Sequence, residues 1–276
     1  MKRWLRFLFV SLYALSGCAP ATAPLPPLAT PIPDSPQEYH VGPLRWQEDT
    51  VVTYAIQEAQ EGRRGNAVTT EAAQHVVEFR AVERTTLGQF WVRCALDGAE
   101  VADVLVERDG DTVVVHLKSP AHPLAWKALL PLMRHAERLA KTPKRLRRGE
   151  PVRVTLPGSF VLPFVPKWAW PGFAKELEME WVFTGHVRVG EALAAALTTR
   201  SANLLTRQVC GEADRGRPPV CLADIRLENT EYRDPTSAHL VVGYDLTTAT
   251  GTVEGSPVTF RFTTLTTLDR QRSRGW

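Results

Sequence analysis

Apolar and polar side chains alternate with a period of two along most of the chain from residue 50 onward. That is the signature of strands that bury one face. Residues 50–56 alternate, and the polar, glycine-bearing stretch 57–66 reads as a turn. Alternation resumes over 75–84, with Val77, Phe79 and Ala81 on one side. It continues over 88–96, where Phe90, Val92, Cys94 and Leu96 align before the turn pair Asp97-Gly98. Residues 100–107 and 112–118 flank Asp109-Gly110, a strong short hairpin signal. Residues 50–119 therefore read as an antiparallel meander with one buried face.

The second half repeats the plan. Leu177, Met179, Trp181 and Phe183 face one way along an amphipathic strand and Glu176, Glu178 and Glu180 the other, with Gly185 marking a bulge or bend. Strands are also expected over 222–228, 238–247 and 255–264, and the basic tail 270–276 reads as a frayed end. Two stretches have helical spacing. Residues 123–142 place Leu124, Trp126, Leu129, Leu132, Met133, Ala136, Leu139 and Ala140 on one stripe, and 190–200 offer Ala192, Leu193, Ala196 and Leu197. The expected fold class is α+β and β-rich. Antiparallel sheets of meander or hairpin type carry one or two covering helices. The expected lobes are 39–142 and 173–276, joined by a connector over 143–172.

The connector is dense in proline and ends in an apolar aromatic string containing Phe160, Phe164, Trp168, Trp170 and Phe173. Proline forbids a central strand there, which leaves a loop packed under the sheet or an exposed apolar lip, a candidate contact for a ligand or partner. Just upstream lie Arg134, Arg138, Lys141, Lys144, Arg145, Arg147 and Arg148, with only Glu137 among them. Two readings fit: a solvated helix end, or a basic patch facing anionic lipid headgroups or an acidic partner.

The N-terminus changes the charge picture. Lys2, Arg3 and Arg6 precede an apolar run of about eleven residues, too short for a spanning helix and right for a signal core. The run ends in Leu15-Ser16-Gly17-Cys18. This resembles a bacterial lipoprotein signal peptide, in which a lipobox of the form Leu-small-Gly-Cys is cleaved before its cysteine. The resemblance covers only about the first twenty residues. It implies a signal peptide over 1–17, a lipidated Cys18, and attachment to the membrane through that lipid. Ala19 after the cysteine implies sorting to the outer membrane, with the body facing the periplasm. Removing 1–17 would take away three cations and leave 30 basic against 30 acidic side chains, so the formal net charge of +3 gives no argument for nucleic-acid binding. Residues 18–38 carry seven prolines and no glycine, and read as a polyproline-type tether.

With Cys18 set aside, Cys210 and Cys221 flank a loop rich in glycine and proline and are expected to pair in an oxidising compartment. Cys94, within an alternating strand, reads as a small buried apolar residue. No hydrolase elbow, phosphate loop or dinucleotide fingerprint appears, the seven histidines lack metal-ligand spacing, and no metal or cofactor is expected. The Asp109-Gly110-Asp111 turn lacks the rest of a calcium loop. The resulting expectation is a lipid-anchored, periplasm-facing envelope protein that acts as a non-catalytic scaffold or accessory binding module. A carrier or chaperone for an apolar ligand, such as a lipid or lipoprotein, is the alternative. A periplasmic enzyme would require two or three of His75, His116, His122 and Asp111 to converge in a cleft.

Overall fold

The computed structural model describes residues 24–26, 28–42, 45–106, 113–116, 144–157, 172, 174–211 and 219–275. Strands dominate, and the described residues contain no helix. The expected α+β class is therefore corrected to nearly all β, built on one large antiparallel sheet. The helical stripe at 123–142 lies outside the described residues. The stripe at 190–200 is strand β11 (Ala192–Ser201). Its alternation explains the error: Ala192, Ala194 and Ala196 face one side and Ala195 and Leu197 the other. Alanine and leucine serve either period, whereas Thr198 and Thr199 are β-branched. Gly190, at φ 59°, forms with Glu191 the two-residue loop that turns β10 (Glu176–Val189) back into β11.

The remaining strands are β1 (Thr30–Pro31), β2 (Glu38–His40), β3 (Val51–Arg64), β4 (Ala67–Arg84), β5 (Phe90–Leu96), β6 (Ala99–Val106), β7 (Val113–His116), β8 (Arg145–Arg147), β9 (Pro151–Pro157), β12 (Val209–Cys210), β13 (Val220–Arg233), β14 (Leu240–Val253) and β15 (Ser256–Leu268). Thirteen join one sheet in the order β1-β10-β11-β13-β14-β15-β3-β4-β5-β6-β7, with β9 alongside β10 and β12 alongside β13. Because β15 lies beside β3, the sheet is continuous across both expected lobes. Tight turns set the register: Asp97-Gly98 and Glu254-Gly255 have positive φ at both positions, as type I′ hairpins require. The Asp109-Gly110 turn lies outside the described residues, but the strands it would join, β6 and β7, pair antiparallel.

The sheet curls until its inward face meets itself. One apolar cluster unites Val52, Tyr54 and Ile56 of β3 with Val77, Phe79, Val92 and Val104, and with Phe183 and Leu197 from the other half of the chain. A second gathers Leu156, Leu177, Met179, Trp181, Leu222, Ile225 and Phe260. A two-stranded sheet of β2 and β8 inserts Tyr39 and Leu146 into the first cluster.

Several strands are longer than alternation suggested. Residues 57–64 continue β3, and only Gly65-Asn66 form the turn. Two expectations about the ends also change. The segment 18–38 is not wholly a free tether, since β1 pairs with β10 and the amide of Ile32 donates to the carbonyl of His186 at 3.0 Å. The C-terminal tail is pinned rather than frayed, because Val51 and Arg274 exchange backbone hydrogen bonds and Thr50 Oγ1 donates to Gly275 O at 2.6 Å.

Candidate functional site

Those of the residues singled out from sequence that are described are not assembled into one site. Cys18, Phe160, Phe164, Trp168, Trp170, Phe173, Arg134, Arg138 and Lys141 lie outside the described residues, as do Asp111 and His122. The described part of the basic stretch is not a helix end. Arg145–Arg147 form β8, Arg147 pairs with Glu38 at 3.3 Å, and Arg148 donates through Nε to Thr184 O at 3.1 Å. His75 Nδ1 lies 2.9 Å from Asp97 Oδ2 on the rim of the sheet. Among the described residues, no group of three or more His, Cys, Asp or Glu side chains could hold a metal ion.

Cys210 and Cys221 sit directly opposite each other on β12 and β13 and form a disulfide. Glycine is required beside it, since a Cβ on Gly251 would lie 1.9 Å from Cys221 O. Cys94 is fully buried, and burial pushes its thiol well above its ordinary range.

Sequence reasoning missed the polar interior. Register places Trp181, Thr199, Asn229, Asp245, Thr264 and Glu58 in one transverse row on the inward face, crossing six neighbouring strands. Asn229 donates through Nδ2 to Asp245 Oδ1 at 2.9 Å. Trp181 Nε1, Thr199 Oγ1 and Asn229 Oδ1 are buried without a hydrogen-bond partner. Each such group costs about 1–3 kcal/mol unless water reaches it. Next to this row, Glu231 and Arg233 point inward from alternate positions of β13, at 1% and 0% exposure. Arg233 Nε donates to Glu231 Oε2 at 2.7 Å and Nη2 donates to the same oxygen, while Nη1 has no partner. The available signal was an i, i+2 charge pair, hidden because the expected strand stopped at residue 228 although β13 runs to Arg233.

A further polar cluster fixes the N-terminal segment. The Gly185 bulge shifts the β10–β11 register between Phe183 and Gly185, where φ is 129°. At the bulge the amide of His186 donates to Ser35 Oγ at 2.6 Å, and His186 Nδ1 lies 3.1 Å from the same hydroxyl. The His186 ring meets Phe183 and Tyr39 edge-on, and desolvation lowers its pKa. His239 is more deeply buried: Nε2 lies 2.8 Å from Arg45 O, Trp46 packs edge-on against the ring, and burial lowers its pKa to about 4. Both rings are held neutral and serve packing. Neither ring nitrogen is paired with a carboxylate among the contacts described.

No protein-family model matches this chain, and no curated protein matches it. Among solved structures, it aligns with Ail, the attachment invasion locus protein of Yersinia pestis, at 5% identity over 80% of this chain and 99% of that one. The TM-score is 0.18, and at that value the likeness carries no argument about fold or function.

Proposed function

We propose that the chain is a lipid-anchored protein of the bacterial envelope, held to the outer membrane through Cys18. Its curled sheet faces the periplasm and acts as a non-catalytic scaffold or binding module. The observation carrying this reading is the attachment of the N-terminal segment to the sheet. Downstream of Cys18, the chain pairs at Thr30–Pro31 with β10 and at Glu38–His40 with β8. Thr30 lies twelve positions after Cys18 in the sequence, so the anchor's free reach is at most about 40 Å. An anchor joined so closely to a rigid body suits a protein that presents a surface at a fixed height above the membrane.

The carrier reading is weaker. A lipid carrier needs a continuous apolar lining, and the row from Trp181 to Glu58 together with Glu231 and Arg233 interrupts the inward face with polar and charged groups.

Anchoring is tested by the full-length Cys18→Ser variant expressed beside the wild type. Lipid labelling should vanish and the protein should move from the membrane to the soluble envelope fraction. Unchanged membrane recovery of the variant overturns the anchor. The scaffold role is tested by crosslinking the lipidated protein in intact envelopes: a defined protein partner supports it, whereas recovery of extractable lipid in its place supports the carrier.

A further inference from the structure

The β3–β4 hairpin extends beyond the rest of the sheet on one side. β4 pairs with the whole length of β3, from Ala67 opposite Arg64 to Arg80 opposite Val51, but β5 covers it only from Val77 to Arg84. Among the described residues, the first part of β4 is therefore an edge. Hydrogen-bond parity settles which groups are open. Ala67 and Arg64 flank the two-residue loop Gly65-Asn66 and so form a bonded pair, which turns the odd-numbered residues of this stretch toward β3. Val76 points the other way: its carbonyl accepts from the Asp97 amide at 2.8 Å and its amide donates to Asp97 Oδ1 at 2.7 Å. Val68, Thr70, Ala72 and Gln74 thus direct their amides and carbonyls into the open edge. Most side chains here are exposed, and Val68 is 51% accessible.

Two other edges of the sheet, β9 and β1, are blunted. β9 carries Pro151, Arg153 and Pro157, and β1 ends in Pro31. Residues 67–75 have no proline, no lysine or arginine, and one carboxylate, Glu71. A long, regular edge lacking these devices is a template for another strand.

We propose that this edge pairs with the same edge of a second copy of the chain, antiparallel about a two-fold axis at Thr70. Three considerations select the occupant and its register. Every strand pair in the main sheet is antiparallel, and antiparallel pairing of two identical edges generates a closed two-fold dimer. A two-fold at Thr70 places Thr70 opposite Thr70 of the second copy and Val68 opposite Ala72, in bonded pairs that form about six main-chain hydrogen bonds. Glu71 then faces Thr69. Moving the axis to Glu71 would set the two carboxylates directly opposite each other, a destabilising pairing. Moving it to Ala72 would drive Ala67 of the second copy into the position opposite Val77 that Leu96 already fills. The dimer is a property of the folded sheet and does not depend on acylation at Cys18.

The test uses the full-length chain with Cys18→Ser, in detergent, so that its outcome is separate from that of the anchoring experiment. Thr70→Cys should form a disulfide-linked dimer on mild oxidation, while Glu71→Cys and Leu193→Cys, the latter on the exposed surface of β11, should remain largely monomeric. Thr70→Pro removes an outward amide and leaves the β3 ladder intact. It should weaken the dimer at least tenfold in sedimentation velocity while the thermal midpoint shifts by only a few degrees. A Thr70→Cys chain that crosslinks no better than Leu193→Cys overturns the dimer. Stronger crosslinking at Glu71 overturns the register, and capture of a different protein at Thr70 in place of a second copy overturns the choice of occupant.

Discussion

Replacing Arg233 with methionine would leave the Glu231 carboxylate in the interior, at 1% exposure, without its cation. Losing one partner of a buried ion pair costs about 3–5 kcal/mol, because the remaining charge stays desolvated. For a chain of this size that corresponds to a fall of about 6–20 °C in thermal midpoint. Urea melts followed by tryptophan fluorescence would measure the loss, since Trp181 and Trp46 are both buried. The double change Glu231→Leu with Arg233→Met should recover most of it, because an apolar pair of similar volume demands no ionic desolvation. In the single variant, the stranded carboxylate has a raised folded-state pKa. Its penalty should therefore shrink as pH falls from that value toward the ordinary Glu range near 4.3. A loss below about 1 kcal/mol for Arg233→Met, or a double variant that loses the sum of its two singles, would refute the reasoning.

His239 titrates near 4 in the folded chain and near 6.5 when unfolded, so the unfolded state binds the extra proton between those values. Stability should fall by about 3 kcal/mol as pH drops from 6.5 to 4, and His239→Gln should flatten that part of a denaturation series. Replacing both Cys210 and Cys221 with serine should cost about 3 kcal/mol in non-reducing melts, the chain-entropy value for so short a loop. Gly251→Ala should cost more than 2 kcal/mol and disturb β13 against β14, because its Cβ would overlap the Cys221 carbonyl. A Gly251→Ala chain with wild-type stability would count against that packing.

Much of the strand content was visible in the alternation at residues 75–84, 88–96 and 177–183, where one face is apolar throughout. What escaped had physical causes. Glu58 looked like a turn residue because its inward position belongs to a polar row that only the register between β3, β15 and β14 brings together. Ala192 to Leu197 fits two periods, and the neighbouring strands β10 and β13 decide between them. Thr30-Pro31 is too short to announce a strand, and its pairing depends on β10, more than 150 residues away. The disulfide was legible because loop composition and spacing suggest it once Cys18 is set aside and an oxidising compartment is expected. The Glu231–Arg233 pair was not, because nothing local distinguishes an inward charge from a solvated one.

The Gly185 bulge also shapes how the molecule would carry a load. A pull on the N-terminal end reaches the fold through the two residue pairs of β1, then through the Ile32 amide and the Ser35 hydroxyl at His186. These contacts lie in series along one strand, so they would open one after another like a zip fastener. Only when they had parted would tension reach the β2–β8 pairing and the packed interior behind it. The N-terminal attachment is thus a mechanical fuse, yielding at low force and sparing the long ladders of the main sheet.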